Sequence, residues 1–370
     1  MPLTPARSNL ALQPTQYALE LDGQFAGFLK GFEGGDAVGE VVPEQLGADG
    51  VRHKHIGNVK YEDIVLAFGA DMPASIYDWI AGTLARNYAR RDGAIVGSDV
   101  SGQTYSRMEF SRAMIREITF PALDASSKNA ALIRATLAPE FTRPQPVGGV
   151  IPSTASKAKP WLVQNYRLQI DGLDCTKVDS IDALTIDYDL ESGAVGEFRD
   201  YVKTPNVPNI PNLAFTIAQS GADSLVAWHE DFVIKRNNSA QNEKNGTLQF
   251  LAANVRDVLF TLTFQNLGIF KLKRVKDSGS ISRLRAEMYC EAIGFDSAAN
   301  TSQQTPQFDI KQNDQSNSGK TARPLLRGAY ALSPAAMAGS NLAIAPLSPP
   351  RSPEPVTNTL NLGTTLKFRT

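Results

Sequence analysis

The sequence predicts a mainly β protein in which two similar β-barrel or β-sandwich domains follow one another, each with one packed α-helix. Three observations predict this architecture: a length suited to two domains, residues that alternate between apolar and polar, and a sequence pattern that occurs twice. The chain has 370 residues, whereas a single domain usually has about 100–200. Its composition, 42% hydrophobic and 20% charged, is typical of a globular protein.

Alternating residues predict the β-strands. In Leu184–Leu190 every second side chain is apolar, and Thr or Asp stands between them. Val258–Phe264 and Leu284–Met288 show similar alternation. Because successive side chains of a strand point to opposite faces, this period of two indicates strands with one buried face.

A pattern near the start of the chain occurs again near its middle. Tyr17–Gly23 reads Tyr-Ala-Leu-Glu-Leu-Asp-Gly and Tyr166–Gly172 reads Tyr-Arg-Leu-Gln-Ile-Asp-Gly, an offset of 166 − 17 = 149 residues. Such self-similarity at a nearly constant spacing predicts a tandem duplication. The other matching positions are Ile64–Phe68 with Leu213–Ile217 at the same offset, Phe110 with Phe264 at 154, and Ile133–Leu137 with Leu284–Met288 at 151.

One amphipathic helix is predicted in each copy. Ile76, Trp79, Ile80 and Leu84 have helical spacing after Pro73, which suits a first turn, and Leu225, Trp228 and Phe232 follow Asp223, a suitable N-cap. Burial of one Trp side chain contributes at most about 4–6 kcal/mol. The repeated residues that we predict to be core or assembly anchors are Tyr17, Asp22, Gly23, Trp79, Tyr166, Asp171, Gly172 and Trp228.

Composition suggests the domain boundaries. We place the first domain at residues 1–145, a Pro/Gly/Ser-rich linker at 146–160 and the second domain at 161–297. Residues 298–370 are rich first in Gln, Asn and Ser and then in Ala, Pro and Ser. That composition buries little apolar surface, so we expect an extended or disordered tail, which either orders against a partner or has no role.

Charge and cysteine content exclude several classes of function. With 37 basic and 38 acidic residues the net charge is −1, which argues against a dedicated nucleic-acid or anionic-membrane binder. We expect synthesis in the cytoplasm, because the amino terminus has no apolar secretory signal and no segment approaches about 18 consecutive apolar residues. Cys175 and Cys290 lack metal-ligand spacing, and we interpret them as buried, unreactive thiols.

Three segments contain residue types that could support chemistry. His53 and His55 would share one face of a strand, but no clear third metal ligand accompanies them. The glycine-rich stretch 30–36 lacks the Gly-Lys-Ser/Thr ending of a phosphate-binding loop, and we expect a mobile loop there. The acidic positions Asp187, Asp189 and Glu191 fit a solvated strand face better than an acid–base pair. We therefore predict no catalytic residue, metal or cofactor.

The order of these features resembles the phage-type tail-tube protein family. The resemblance lies in the Tyr-x-Leu-x-apolar-Asp-Gly segment, the alternating strand, the Tyr77-Asp78-Trp79 helix and the basic residues Arg86, Arg90 and Arg91. Those arginines suit either a solvated helix end that complements the helix dipole or an ion-pair site between rings.

The resemblance implies a structural protein and not an enzyme. Subunits of such a family would join through their sheets into pore-lining rings that stack into a tube, in a phage tail or tail-like particle. Two domains per chain would let three chains make a pseudo-sixfold ring. Expected partners are further copies of the chain and sheath, baseplate or hub proteins, with DNA or protein cargo passing the lumen, and no membrane. The alternative is a β-rich module that binds a protein partner or carbohydrate without assembling a tube.

Overall fold

The computed structural model describes residues 16–44, 50–99, 102–151, 161–194, 201–275 and 282–297. These residues form mainly β-strands, as the alternating sequence predicts. The elements of the first half are β1 Gln16–Leu21, β2 Gln24–Leu29, β3 Gly31–Gly34, β4 Ala37–Pro43, β5 Lys54–Tyr61, β6 Ile64–Phe68, α1 Ala74–Leu84, β7 Arg91–Ser98, β8 Thr104–Phe120, β9 Leu123–Asp124, β10 Ile133–Ala138 and β11 Phe141–Gln145.

The second half repeats this succession of elements, except that it has no strand corresponding to β2 or β9 among the described residues. Its helix α2 continues into a π-helical segment, Glu230–Ile234. The elements of the second half are β12 Tyr166–Ile170, β13 Val178–Ile181, β14 Leu184–Ala194, β15 Tyr201–Asn209, β16 Leu213–Ala218, α2 Asp223–His229, β17 Lys244–Leu251, β18 Val258–Val275, β19 Arg283–Tyr289 and β20 Ala292–Ser297.

The two halves have the same strand order. The first sheet runs β2-β1-β7-β8-β10-β6-β3, with β11 also on β8, and the second runs β12-β17-β18-β19-β16-β13, with β20 on β18. In each half a hairpin, β4–β5 or β14–β15, is inserted before the strand that leads into the helix. The shared topology supports the tandem duplication, which stays a prediction about the origin of the chain.

Pairing registers repeat with the offsets found in the sequence. Leu66 pairs with Ala135 in the first half, and Phe215 pairs with Ala286 in the second, shifts of 149 and 151 residues. The hairpins follow the same rule, because Val38 pairs with Lys60 and Asp187 with Asn209, each shifted by 149 residues. Even an irregularity recurs: Arg112 and Asn266, 154 residues apart, both have positive φ, 51° and 55°.

Strand pairing joins the two halves directly. Strand β14 of the second half pairs with β8 of the first, and β13 pairs with β9. Side chains from both halves also share one hydrophobic core. Phe120 and Tyr77 of the first half stack on Phe250 and Phe260 of the second, with ring centroids 6.0–6.2 Å apart. The predicted boundary between domains stays a prediction, and strand pairing crosses it.

Three local predictions were wrong. The glycine-rich stretch contains strand β3, which pairs with β6, because its glycines allow a close ladder without a bulky side chain. Asp223 is the first residue of α2 and the N-cap is Ala222, without a side-chain cap hydrogen bond. The last turn of α1 carries no basic residue, so Arg86, Arg90 and Arg91 do not complement its dipole. The predicted tail lies outside the described residues, as does most of the linker.

Candidate assembly surfaces

The two predicted Trp anchors lie at equivalent places and have similar surroundings. Trp79 is 1% exposed and donates a hydrogen bond from Nε1 to the Ala89 carbonyl at 2.9 Å. Trp228 is 7% exposed, and its buried Nε1 has no hydrogen-bond partner among the described residues. A cation lies over each ring, Arg91 at 5.9 Å and Lys244 at 5.4 Å. Both Trp side chains are therefore buried parts of their helices, and α1 packs mainly against β20 of the second half.

The paired tyrosines differ more than their sequence context suggests. Tyr17 is half-buried and packs edge-on against Phe32 with ring centroids 4.8 Å apart. Tyr166 is also half-buried, and its hydroxyl lies 3.0 Å from the carbonyl of Asp179. Burial raises the pKa of the Tyr166 phenol above its ordinary value. Each tyrosine thus connects the first strand of its half to an adjacent segment of the same chain, but the two tyrosines do so through different contacts.

The two Asp-Gly pairs form different turns. Asp22 and Gly23 both have positive φ, 51° and 77°, which matches the type I′ turn that joins β1 to β2. The Asp22 carboxylate also accepts a hydrogen bond from Arg91 at 2.7 Å. At Asp171-Gly172 only the glycine has positive φ, 71°, which is typical of a type II turn. Among the described residues no strand begins directly after this second turn, and the next one, β13, begins at Val178.

Strands β14 and β8 form a junction between the two halves of the chain. Leu184, Ile186 and Tyr188 of β14 are each at most 2% exposed. The Tyr188 hydroxyl donates a hydrogen bond to the carbonyl of Thr83 at the end of α1, at 3.2 Å. Its ring lies edge-on to that of Tyr88 at 5.6 Å. The alternating apolar residues predict strand β14, but they do not identify β8 as its partner.

Charged groups border this junction. Asp63 of the first half accepts hydrogen bonds from Arg116 at 2.6 Å and from Lys203 of the second half at 3.3 Å. The hydrogen bond to Asp63 raises the pKa of Arg116. Arg90 donates to the Lys203 carbonyl at 2.7 Å and lies 3.3 Å from Glu140. Part of the predicted basic cluster therefore joins the halves of one chain.

The hairpin β4–β5 has a very different environment from β14–β15. It forms its own two-stranded sheet, and nearly all of its residues are exposed. Val38, Val41 and Ile56 are exposed to 46%, 56% and 65%. Exposed apolar side chains on one projecting hairpin indicate a surface suited to contact with another molecule.

One edge of β18 is also open. Each strand has two hydrogen-bonding edges. On β8, β11 and β10 take one edge, while β7 and then β14 take the other. On β18, β20 and β19 take the first edge, but β17 reaches only to Leu267 on the second. Within the described part of the chain, no strand continues along that second edge at Lys271–Val275.

In the described part of the chain, the candidate chemical groups make ordinary polar contacts. His55 lies 3.3 Å from Glu44, and Asp187 accepts a hydrogen bond from Asn209 at 3.1 Å. Cys290 is buried, but Cys175 is only partly buried, and burial raises the pKa of Cys175 to about 11. Among the described residues no three His, Cys, Asp or Glu side chains are grouped to hold a metal ion. None of the helices in these residues has the length and apolarity needed to span a bilayer.

Comparison with known proteins identifies a family for the first half. Residues 13–141 match the family model of the T4-like virus tail tube protein gp19. This match confirms the resemblance seen in the sequence. No curated protein matches the chain.

Solved structures resemble parts of the chain. One belongs to the sheath–tube complex of an extracellular contractile injection system, PVC, with 19% identity and a TM-score of 0.34 over 38% of this chain and 95% of the other. Another is the tube-terminating cap of the anti-feeding prophage, with 20% identity and a TM-score of 0.33 over 39% and 100%. A third, from Flavobacterium johnsoniae, is Hcp1, with 18% identity and a TM-score of 0.23 over 36% and 94%.

Proposed function

We propose that this chain, whose residues 13–141 match the tail-tube family, is a structural component of a phage-tail-like tube and forms pore-lining rings. The observation that supports this proposal most is the pairing of β14 with β8, which joins two modules of one topology through strand edges. A contact of this kind, repeated between chains with a rotation that closes on itself, generates a ring.

Three chains per ring follow from two modules per chain. If single-module relatives close with six copies, three tandem chains supply the same six modules in a pseudo-sixfold ring. The two modules of such a ring can differ, as the anchors around Tyr17 and Tyr166 do. This asymmetry suits either the main tube or an initiator that joins a threefold hub to a sixfold tube.

The chain acts within a particle, and its partners are of the same kind. Stacked rings contact further rings, a sheath, a baseplate or a hub, and the lumen passes DNA or protein cargo without specific binding. Residues 298–370 reach one of these partners. Truncation after Ala298 tests this role. Unchanged particle assembly by the truncated protein would mean that the segment is not needed for assembly.

Electron microscopy of the purified protein tests the function. We expect annular particles or stacked cylinders, and native mass spectrometry should give three chains per ring. Six chains per ring would refute the trimer while leaving the ring intact. Dispersed monomers at all concentrations would refute ring assembly and favour a β-rich binding module.

A further inference from the structure

The junction within the chain provides a template for a contact between chains. Strand β14 pairs antiparallel with β8, with Thr185 opposite Thr119 and Asp187 opposite Glu117. The second-half strand β14 corresponds to β4 at an offset of 149, and β8 corresponds to β18 at 154. Both strands of this junction therefore have a counterpart in the other half.

The counterparts do not meet within the described part of one chain. Strand β4 pairs only with β5 there, and the corresponding edge of β18 at Lys271–Val275 is open. Applying the two offsets to Thr185 and Thr119 gives Asp36 and Lys273. Applying them to Asp187 and Glu117 gives Val38 and Lys271.

We propose that β4 of one copy pairs antiparallel with the open edge of β18 in a second copy, with Asp36 opposite Lys273 and Val38 opposite Lys271. This inference rests on the proposed function and specifies which edges join successive chains. The exposed apolar side chain of Val38 is covered by this contact, and the open backbone groups of β18 gain partners.

Charges on the two edges are complementary. Asp36, directly before β4, is exposed, and Glu40 of β4 lies 3.4 Å from Lys60 of β5, whereas Lys271, Lys273 and Arg274 make the edge of β18 basic. Lys271 and Lys273 lie 3.0 and 4.0 Å from the same carboxylate, that of Glu287. One carboxylate shared by two ammonium groups leaves the edge positive, so an approaching Asp36 is attracted to Lys273.

The contact between chains differs from the junction within a chain in its apolar anchors. The buried Leu184, Ile186 and Tyr188 of β14 correspond to Gly35, Ala37 and Gly39 in the first half. Because these residues are small, the contact between chains buries little apolar area. Backbone hydrogen bonds and charge therefore contribute a larger share of its binding free energy. We therefore expect the contact between chains to weaken at high salt, while the junction within each chain persists.

Disulfide trapping tests the register. Directly opposite residues of antiparallel strands have Cβ atoms about 4.5–5.5 Å apart, against about 7–8 Å for diagonal neighbours. The double variant Asp36→Cys/Lys273→Cys should form intermolecular disulfides on mild oxidation, with dimers and trimers on a non-reducing gel. The matched control, Asp36→Cys/Lys271→Cys, is out of register by two residues and should form at least about fivefold less, since disulfide geometry is strict. Equal cross-linking of both pairs would refute the register.

Charge reversal supplies a second readout. Asp36→Lys or Lys273→Asp alone should reduce the assembled fraction at least about tenfold at low salt, because like charges then face each other. The double variant Asp36→Lys/Lys273→Asp should restore assembly. Unaltered assembly of either single variant would refute the pairing.

Microscopy of the wild-type protein separates the two proposals. Rings that form without the expected cross-link would refute this docking while the ring function stands. Specific cross-linking in a protein that never forms rings would support the docking and refute the ring function.

Discussion

Replacing Tyr188 by Ala tests whether the junction between β14 and the first half stabilises the fold. The Tyr188 side chain is 1% exposed and packs against Tyr88 and the end of α1. Truncating a buried aromatic residue to Ala commonly costs about 3–5 kcal/mol. Area gives a similar upper bound, because about 150–250 Å² at about 25 cal/mol/Å² is about 4–6 kcal/mol.

Tyr188→Phe separates the hydrogen bond from packing. The Thr83 carbonyl also accepts the Arg86 N–H at 3.0 Å, so removing the Tyr188 hydroxyl does not leave this carbonyl unpaired. The loss should therefore be only about 0.5–1.5 kcal/mol. Val207→Ala is the matched control, because Val207 lies on the same hairpin at 74% exposure and should change stability by less than about 0.5 kcal/mol.

Urea unfolding followed by Trp fluorescence measures these differences. Several protein concentrations are needed, because assembly adds a concentration-dependent contribution to stability. A loss below about 1 kcal/mol for Tyr188→Ala would refute the reasoning, since the junction would then contribute little. Separate unfolding transitions for the two halves would also contradict a shared core.

Three further predictions concern individual side chains. Trp79→Phe should cost about 1–2 kcal/mol more than Trp228→Phe in the same urea assay, because only Trp79 loses a hydrogen bond; equal losses would contradict this. Glu20→Ala should cost about 1–3 kcal/mol by calorimetry or urea, because the buried Glu20 forms a two-pronged ion pair with Arg107 at 2.7 and 3.1 Å, while Arg107 keeps its ion pair with Glu109 at 3.1 Å; Glu20→Ala/Arg107→Met should recover part of the loss, and no recovery would count against pairing as the cause. Burial raises the pKa of Tyr166 above 10.0, so the contribution of Tyr166 to folding stability is present below about pH 10 and is lost as the pH rises further. Tyr166→Phe should therefore flatten the decline of the free energy of unfolding at alkaline pH. An unchanged decline would argue against this role of Tyr166.

Much of the fold follows from local sequence patterns. The period-two runs predict β14, β18 and β19, and the spacing around Trp79 predicts α1, because burial of one face dictates both patterns. The offsets of 149, 154 and 151 predict which strands correspond. They recur in the pairing registers because a change of register by one residue would turn buried side chains outward.

Other features depend on tertiary context that local patterns do not encode. The same Asp-Gly dipeptide makes a hairpin at Asp22 and an isolated turn at Asp171, because different neighbours pair with the chain that follows. Nothing in β14 alone shows that it joins β8 across the boundary. A comparison of the copies does contain a signal, since Leu184, Ile186 and Tyr188 replace residues as small as Gly35 and Gly39.

The junction between β8 and β14 also has a consequence during translation. The β8 edge ends at Phe120, but its partner segment extends to Asp187. Residues Glu117 and Asp187 are 187 − 117 = 70 positions apart, so a ribosome adding about 5–20 residues per second needs about 4–14 s to synthesise the intervening chain. During that interval the nascent first half exposes the edge of β8 that β14 covers in the folded chain, and an exposed strand edge is a template for pairing with another chain. Slow elongation after Phe120 should therefore increase misassembly, and rapid elongation should favour pairing within the chain.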